Sequence, residues 1–210
     1  MIVQDVETHG RLLDAAARLF AARGFKDVTV REICRAARAN VAAVNYHYRD
    51  KEGLYREVLG TAIDTMQATT EAARLAGQDG SPEQKLRAYI RVFLQRTAGQ
   101  GRDAWIHQLM MQEMADPTSA LELIFDQVVR PRLTYVSEVV AEILGRPPTH
   151  AAVLRCVLSI QSQLHAAMPN ALSKRLLPDV AADQRALEQL ADHIAAFSLG
   201  GLRAVTSLNG

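Results

Sequence analysis

The sequence is poor in cysteine and in aromatic residues, and it has no long apolar run. Its two cysteines, Cys34 and Cys156, are too few for a disulfide framework and lack the spacing of metal ligands. We therefore expect reduced thiols. No apolar run approaches about 18 residues, so no membrane-spanning helix is predicted. The first residues carry acids and no apolar segment, which argues against a signal peptide and predicts a cytoplasmic protein.

Catalytic motifs are also missing from the sequence. It contains no GxSxG, no GxGxxG after a strand, no phosphate loop ending in GK[ST] and no CxxC. Its histidines and carboxylates form no recognisable acid–base pair. His107, Glu113 and His165 lack the HxxxH or HExxH spacing of a metal site. We predict neither an enzyme nor a bound cofactor or metal.

The overall amino-acid composition favours a helical globular protein. Hydrophobic residues make up 49% of the 210 residues, charged residues make up 22%, and alanine, the best helix former, is abundant. Residues 1–56 hold ten Lys and Arg against seven Asp and Glu, whereas the rest of the chain holds fourteen against sixteen. A basic N-terminal segment on a slightly acidic body is typical of a nucleic-acid-binding protein.

Apolar periodicity and capping residues predict an all-α fold of about nine helices. No segment has the pattern of a strand. We expect a helix-turn-helix domain at 1–52 and a helical effector-binding and dimerisation domain at 53–210. Seven of the predicted helices are 5–23, 30–37, 41–47, 51–75, 103–114, 150–167 and 180–205. Another begins at Pro82 and ends before Gly99-Gln100-Gly101. The last begins at Asp116-Pro117 and ends at Leu144, with a kink at Pro131.

Local side chains mark several of these helix starts. Thr29 with Glu32 three residues later has the spacing of a capping box, and Asn40 and Asp50 are N-cap candidates. The run Ser81-Pro82-Glu83-Gln84 combines an N-cap, a proline at the first helical position and a glutamine at the third.

Helices 30–37 and 41–47, joined by a tight break, predict a helix-turn-helix whose second helix enters the major groove. Val41, Ala42 and Ala43 are small enough for close approach and can contact thymine methyl groups. The following run, Asn45-Tyr46-His47-Tyr48, offers polar tips for phosphate oxygens. Lys51, with the free N–H groups at the start of the next helix, can hold a phosphate.

These residues resemble the TetR family of transcription regulators over about the first 60 positions. The resemblance is carried by GFKDVTVREI, residues 24–33, and by VNYHYRDKEGL, residues 44–54. The run MADPTSALELIFDQVVRPRL is similar to the subgroup that includes the CecR regulators. Family members often have a glycine in the turn, but Ala36-Ala37-Arg38-Ala39 stands there, which predicts some strain.

The resemblance implies a dimeric repressor with a ligand-binding body, and it implies roles for single residues. Thr29 would contact the phosphate backbone and Arg31 a base, with guanine preferred. Val41, Ala42, Ala43 and Asn45 would face base edges, and Tyr46, His47 and Lys51 would hold phosphates. Other roles remain open: Tyr46 and Tyr48 can pack in a core, and Arg31 can pair with Asp27 or Glu32.

The body offers an effector site and a dimer interface as hypotheses. A tryptophan and several methionines between Trp105 and Met114 make a deformable apolar wall, although the same residues can be ordinary core. The predicted pocket is lined by Phe93, Trp105, Leu109, Met110, Phe125 and His165. The last two helices carry more apolar residues than a single buried face requires, which predicts a homodimer interface.

The leading hypothesis is a ligand-responsive repressor that binds duplex DNA as a dimer. The alternative is a helical ligand-binding or scaffold protein that does not bind DNA. Salt-sensitive DNA binding distinguishes the two.

Overall fold

The computed structural model describes residues 2–97, 104–168, 175–176, 178 and 183–208, and within them the fold is all-α, as predicted. No strand occurs among these residues. The predicted closing run Gly99-Gln100-Gly101 and the positions 103 and 180–182 of two predicted helices lie outside the described residues. The helices are α1 (Ile2–Arg23), α2 (Val30–Ala37), α3 (Val41–Tyr48), α4 (Lys51–Gly77), α5 (Pro82–Thr97), α6 (Ala104–Ala115), α7 (121–144), α8 (Ala151–Ala166) and α9 (Gln184–Leu208).

The chain divides into two compact units. The first comprises residues 1–65 and 102–125, and the second comprises 66–101 and 126–210. Helix α4 contributes residues to both units. The sequence-based boundary at residue 52 divides the chain by function, and it stays a prediction.

Helix starts follow the predicted capping residues. Asp50 Oδ1 accepts a hydrogen bond from the N–H of Gly53 at 2.7 Å. At α5, Ser81 Oγ accepts from the N–H of Gln84 at 3.4 Å, and Gln84 Oε1 accepts from the N–H of Ser81 at 2.7 Å. These side chains satisfy N–H groups that the first helical turn leaves without a backbone partner.

Each unit has its own apolar core. In the first unit the predicted α1 face is buried at Leu12, Ala16 and Phe20, where it packs with residues of α2 and α3. In the second unit the whole predicted stripe of α5 is buried, and α7, α8 and α9 complete the cluster. The buried α5 residues are Leu86, Tyr89, Ile90, Phe93 and Leu94. The helices in the described part of the chain are too short or too polar to span a membrane.

Helix α7 is irregular next to its proline. It consists of an α-helical turn (Leu121–Ile124), a π-helical turn (Phe125–Val129) and an α-helix (Arg130–Leu144). It therefore begins later than the predicted start at Asp116-Pro117. Pro131 lies in the first turn of the last segment, where a missing N–H is tolerated. The wider π-turn directly before it relieves the steric conflict that a proline creates with the preceding turn.

The carbonyl of Gln127, near Pro131, accepts a hydrogen bond from a side chain of α4. Because proline has no N–H, it cannot bond the carbonyl of Gln127, four residues earlier. Gln67 of α4 donates its Nε2–H to that oxygen at 3.1 Å. A side chain from α4 thus donates to the oxygen that a residue with an N–H at position 131 could bond in a regular α-helix.

We expect Gln67→Met to lower the free energy of unfolding by about 0.5–1.5 kcal/mol, the usual net value of one hydrogen bond. Denaturant unfolding measures this, with Gln95→Met on the exposed side of α5 as the control. In a Pro131→Ala background the new N–H can bond Gln127, so Gln67→Met should cost less. Equal costs in both backgrounds would refute this explanation.

Candidate nucleic-acid interface

The start of α2 is fixed by a capping box and by an ion pair to α1. The N–H of Glu32 donates to Thr29 Oγ1 at 3.3 Å, and the N–H of Thr29 donates to Glu32 Oε2 at 2.8 Å. Arg23 of α1 bonds the other carboxylate oxygen of Glu32 at 2.9 Å. The hydrogen bonds from Arg23 and Thr29 lower the pKa of Glu32 to about 2. The carboxylate therefore stays charged and holds the cap at neutral pH.

Arg31 does not take part in this network. Glu32 is occupied by Arg23 and Thr29, and none of the salt bridges among the described residues includes Arg31, which is exposed. The open alternative, in which Arg31 pairs with Asp27 or Glu32, is therefore not realised. Thr29 is exposed at the same helix start.

The turn between α2 and α3 contains a strained residue, as the missing glycine predicts. Arg38 has φ 51° and ψ 47°, in the left-handed region that glycine adopts most easily. Its N–H bonds the carbonyl of Arg35, and the N–H of Ala39 bonds that of Cys34. Asn40 then caps α3, because its Oδ1 accepts from the N–H of Ala42 at 3.0 Å.

The turn is also held from α1. Arg11 donates its Nε–H to the carbonyl of Ala37 at 3.2 Å, at the end of α2. A cation is favourable at the C-terminal end of a helix, where carbonyl groups lack partners. Sequence patterns gave no reason to single out Arg11, because its partner lies 26 residues away.

Helix α3 has one buried face and one open face. Val44 and Tyr48 are buried, whereas Val41, Ala42, Asn45 and Tyr46 are exposed and Ala43 and His47 are half-buried. Tyr46 is 76% exposed, which is unusual for a large aromatic residue. Of the four predicted base-facing positions, Val41, Ala42 and Asn45 are therefore exposed and Ala43 is half-buried. Tyr46 is therefore not packed in the core formed by the described residues, which was the other role considered for it.

Tyr48 and His47 have different surroundings. Tyr48 packs in the core, stacks on His9 with ring centroids 4.8 Å apart, and donates its hydroxyl to the carbonyl of His9 at 2.7 Å. Burial raises the pKa of this phenol. The His47 ring lies between the rings of His9 and Tyr46, at centroid distances of 5.5 and 5.0 Å. Tyr48 is thus a packing residue that positions α3.

Lys51 lies at the first turn of α4. Its Nζ is 4.3 Å from the centre of the Phe25 ring and donates to the carbonyl of Lys26 at 3.4 Å. Asp50 already occupies the N–H of Gly53. The predicted phosphate site therefore consists of the Lys51 ammonium and fewer free N–H groups than expected, with a carboxylate next to them.

Gly53 is a structurally constrained position that the sequence analysis missed. A Cβ atom built on Gly53 would lie 1.9 Å from the carbonyl oxygen of Tyr48, a distance that no side chain tolerates. The backbone of α4 thus approaches the end of α3 as only glycine allows. A glycine inside a predicted helix was the available signal.

Further along α4, Tyr55 joins a buried polar cluster. Its hydroxyl donates to the carboxylate of Glu113 in α6, which also accepts from the N–H and hydroxyl of Thr118 at 3.2 and 3.0 Å. Glu113 is only 2% exposed. Burial and this carboxylate raise the pKa of Tyr55, which therefore remains a donor. The cluster fixes α4 and α6 within the first unit.

The predicted effector residues occupy both units. In the first, Leu109 is buried, Trp105 and Met110 are half-buried, and Phe125 is exposed in the π-turn of α7. In the second, the rings of Phe93 and His165 have centroids 6.5 Å apart, and His165 Nδ1 lies 2.7 Å from the carbonyl oxygen of Gln161. The pocket formed by all six residues stays a prediction.

Two family models match the chain. The model of bacterial regulatory proteins of the tetR family matches residues 12–58, which include α2 and α3. The model of the C-terminal domain of the HTH-type transcriptional dual regulator CecR matches residues 82–202.

Individual relatives agree with these matches. The chain is 27% identical to the dual regulator CecR of Shigella flexneri over 157 residues, which cover 69% of this chain and 68% of that protein. It is 32% identical to the probable HTH-type transcriptional regulator YttP of Bacillus subtilis over 68 residues, about a third of each chain. The solved structure of PfmR, a TetR family transcriptional regulator of Thermus thermophilus, shares the fold, with a TM-score of 0.67 and 18% identity over 90% of this chain and 97% of that one.

We expect Gly53→Ala to destabilise the protein by about 1–3 kcal/mol, because the added methyl group forces α3 and α4 apart. Gly60→Ala in the same helix is the matched control, since its Cβ would meet no atom within 4 Å. That substitution should stabilise the helix by about 0.5–1 kcal/mol. Thermal unfolding of the two variants compares them, and a stabilising Gly53→Ala would contradict the close approach.

Proposed function

Because the chain belongs to the TetR family of bacterial regulatory proteins, we propose that it is a ligand-responsive repressor that binds a palindromic operator as a homodimer. The observation that carries the proposal is the open face of α3, where Val41, Ala42, Asn45 and Tyr46 are exposed on a helix whose other face is fixed in the core. The proposal includes no enzymatic activity, and it keeps the cytoplasmic location predicted from the sequence.

The DNA contacts proposed for this surface follow from the chemistry of each side chain. Val41, Ala42 and Ala43 are small enough for the groove floor, and Asn45 can donate to and accept from an adenine edge. Tyr46, His47, Thr29 and Lys51 carry polar groups suited to phosphate oxygens. Arg31 is exposed and its guanidinium matches the two acceptors of guanine.

The proposed dimer interface uses the exposed faces of α8 and α9. Leu154, Leu158 and Phe197 are 51%, 67% and 66% exposed, although the same two helices bury many other apolar residues. Gly200 and Gly201 follow in α9, and a Cβ on either would meet no atom within 4 Å. The exposed apolar side chains of both helices, and two α9 glycines at which an added Cβ would meet no atom, support close packing against a second copy.

Helix α4 is the proposed link between ligand and DNA. It runs without a break from Lys51 to Gly77 and contributes to both compact units. An effector that favours one arrangement of the body would change the spacing of the two α3 helices. Operator affinity then falls by the coupling free energy.

Selection of bound sequences from random duplex DNA tests the proposal. A dimer should select a palindrome whose half-sites are roughly 34–36 Å, or one helical turn, apart. Recovery of no preferred sequence, together with DNA binding that is absent or insensitive to salt, would favour the helical binding protein without DNA binding.

We expect Lys51→Ala to weaken binding to all sequences about equally and to reduce the salt slope by about one per half-site. Arg31→Ala should instead relax the preference at one base pair, at a cost of about 1–3 kcal/mol. Lys85→Ala, whose ammonium pairs with Glu142 in the second unit, is the control for lost charge. Titrations at several salt concentrations measure both quantities, and an exchange of the two phenotypes would reverse the assigned roles.

We expect Leu158→Asp to shift the protein towards monomer, because it introduces a charge into the proposed apolar interface. Sedimentation velocity measures the change. Leu75→Asp is the control, because Leu75 is also exposed, at 58%, but lies on α4. A dimer that survives Leu158→Asp and dissociates with Leu75→Asp would place the interface elsewhere.

A further inference from the structure

Two polar atoms in the second unit are buried without a hydrogen-bond partner among the described residues: Arg132 Nε and Gln161 Oε1. Arg132 lies in α7 and Gln161, which is 6% exposed, in α8. An unmet donor or acceptor away from water costs free energy, so native proteins rarely leave one without a reason. Two in one helical unit call for an explanation.

Tyr89 and Phe93 of α5 connect these two side chains. Gln161 Nε2 lies 2.9 Å from the hydroxyl oxygen of Tyr89. The Arg132 guanidinium carbon lies 5.4 Å from the centre of the Phe93 ring, and the Tyr89 and Phe93 rings have centroids 5.9 Å apart. Three helices thus bring a cation, an amide and a phenol to one region of an otherwise apolar core.

The charge of Arg132 lacks a counter-ion within the part of the chain that the structure describes. No salt bridge there includes Arg132, whereas its neighbour Arg130 pairs with Asp126 at 2.7 Å. Tyr89 cannot supply the negative charge, because burial raises the pKa of its phenol in spite of the nearby guanidinium. Arg132 is half-buried, so an anion that enters this region would meet a guanidinium that no carboxylate of the described residues neutralises.

The amide of Gln161 fits the same ligand. Its oxygen and nitrogen can exchange places by rotation, and the Tyr89 hydroxyl can act as either donor or acceptor. With the amide turned, Gln161 Oε1 accepts from Tyr89 and its Nε2 donors become available. Arg132 Nε–H and the amide hydrogens of Gln161 are then both donors of the kind that a carboxylate accepts.

We propose that Arg132 and Gln161 bind the carboxylate of an apolar organic acid, which is the effector of this regulator. This inference rests on the proposed ligand-responsive function and adds the chemical class of the ligand. Tyr89 positions the Gln161 amide, and Phe93 offers an aromatic face beside the guanidinium. Phe93 and His165 belong to the effector residues predicted from sequence, whereas Arg132, Gln161 and Tyr89 do not.

Isothermal titration of the full-length protein with matched probes tests the proposal. The probes are benzoate, naphthoate and phenylacetate, each compared with its neutral primary amide. The wild type should bind at least one acid about tenfold or more tightly than its amide, since a hydrogen bond to a charged group is worth more than one to a neutral group. Equal affinity for every acid and its amide, or no binding of any probe, overturns the proposal.

Variants assign the effect to the named residues. Arg132→Met keeps the length and apolar stem of the side chain and should abolish the preference for acid over amide, whereas Arg132→Lys should retain part of it. Gln161→Leu should weaken acid binding severalfold. Arg130→Met, two residues earlier on the surface of α7, is the matched control and should leave the preference unchanged. A preference that persists in Arg132→Met overturns the proposal.

Operator binding by the same preparations separates this inference from the proposed function. If the acids fail to bind but the protein still binds its selected DNA, only the ligand class is wrong. If the acids bind through Arg132 but no operator is selected, the ligand site stands and the repressor proposal fails. Release of operator DNA by a bound acid, lost in Arg132→Met, supports both.

Discussion

The close approach of Gly53 to the carbonyl of Tyr48 determines where α3 lies relative to α4. Tyr48 is the last residue of α3, and Gly53 is in the first turn of α4, so two helices meet there through their backbones. Backbone contact leaves little freedom to adjust, because no side chain can change rotamer to absorb a shift. A movement of α4 is therefore transmitted directly to the helix that carries the proposed DNA contacts. The Tyr48–His9 bond and the capped turn fix the other sides of α3.

Interactions between neighbouring residues were predictable from sequence, and interactions between distant residues were not. Thr29 with Glu32 and Ser81 with Gln84 are three residues apart, so spacing alone predicts their bonds. Gln67 with Gln127 and Tyr55 with Glu113 are separated by 60 and 58 residues. No periodic pattern encodes such pairs, because they depend on how helices pack. The sequence analysis considered Glu113 only as a possible metal ligand. In the structure its carboxylate accepts hydrogen bonds from Tyr55 and Thr118.

In the candidate site, too, local features could be predicted from sequence and contacts between distant residues could not. The motif around α3 predicted DNA contacts for Val41, Ala42, Asn45 and Tyr46, and all four are exposed, because eight residues of helix fix the direction of each side chain. The effector residues were predicted because their side chains are large or flexible and apolar. Those properties do not determine where a side chain lies in the fold. Arg132 could not be recognised, since its significance lies in the partner that it lacks within the described chain.

The left-handed conformation of Arg38 has a consequence for how this protein can change during evolution. A glycine at position 38 would relieve strain worth about 1 kcal/mol, and it would be the simplest stabilising substitution in the turn. The same exchange would remove one positive charge from a basic segment, and long-range attraction speeds the encounter with a polyanion. Fold stability and association rate therefore favour different residues at this position. Arginine at position 38 lowers fold stability and raises the association rate. A substitution here that increases thermal stability is therefore expected to slow the search for target sites.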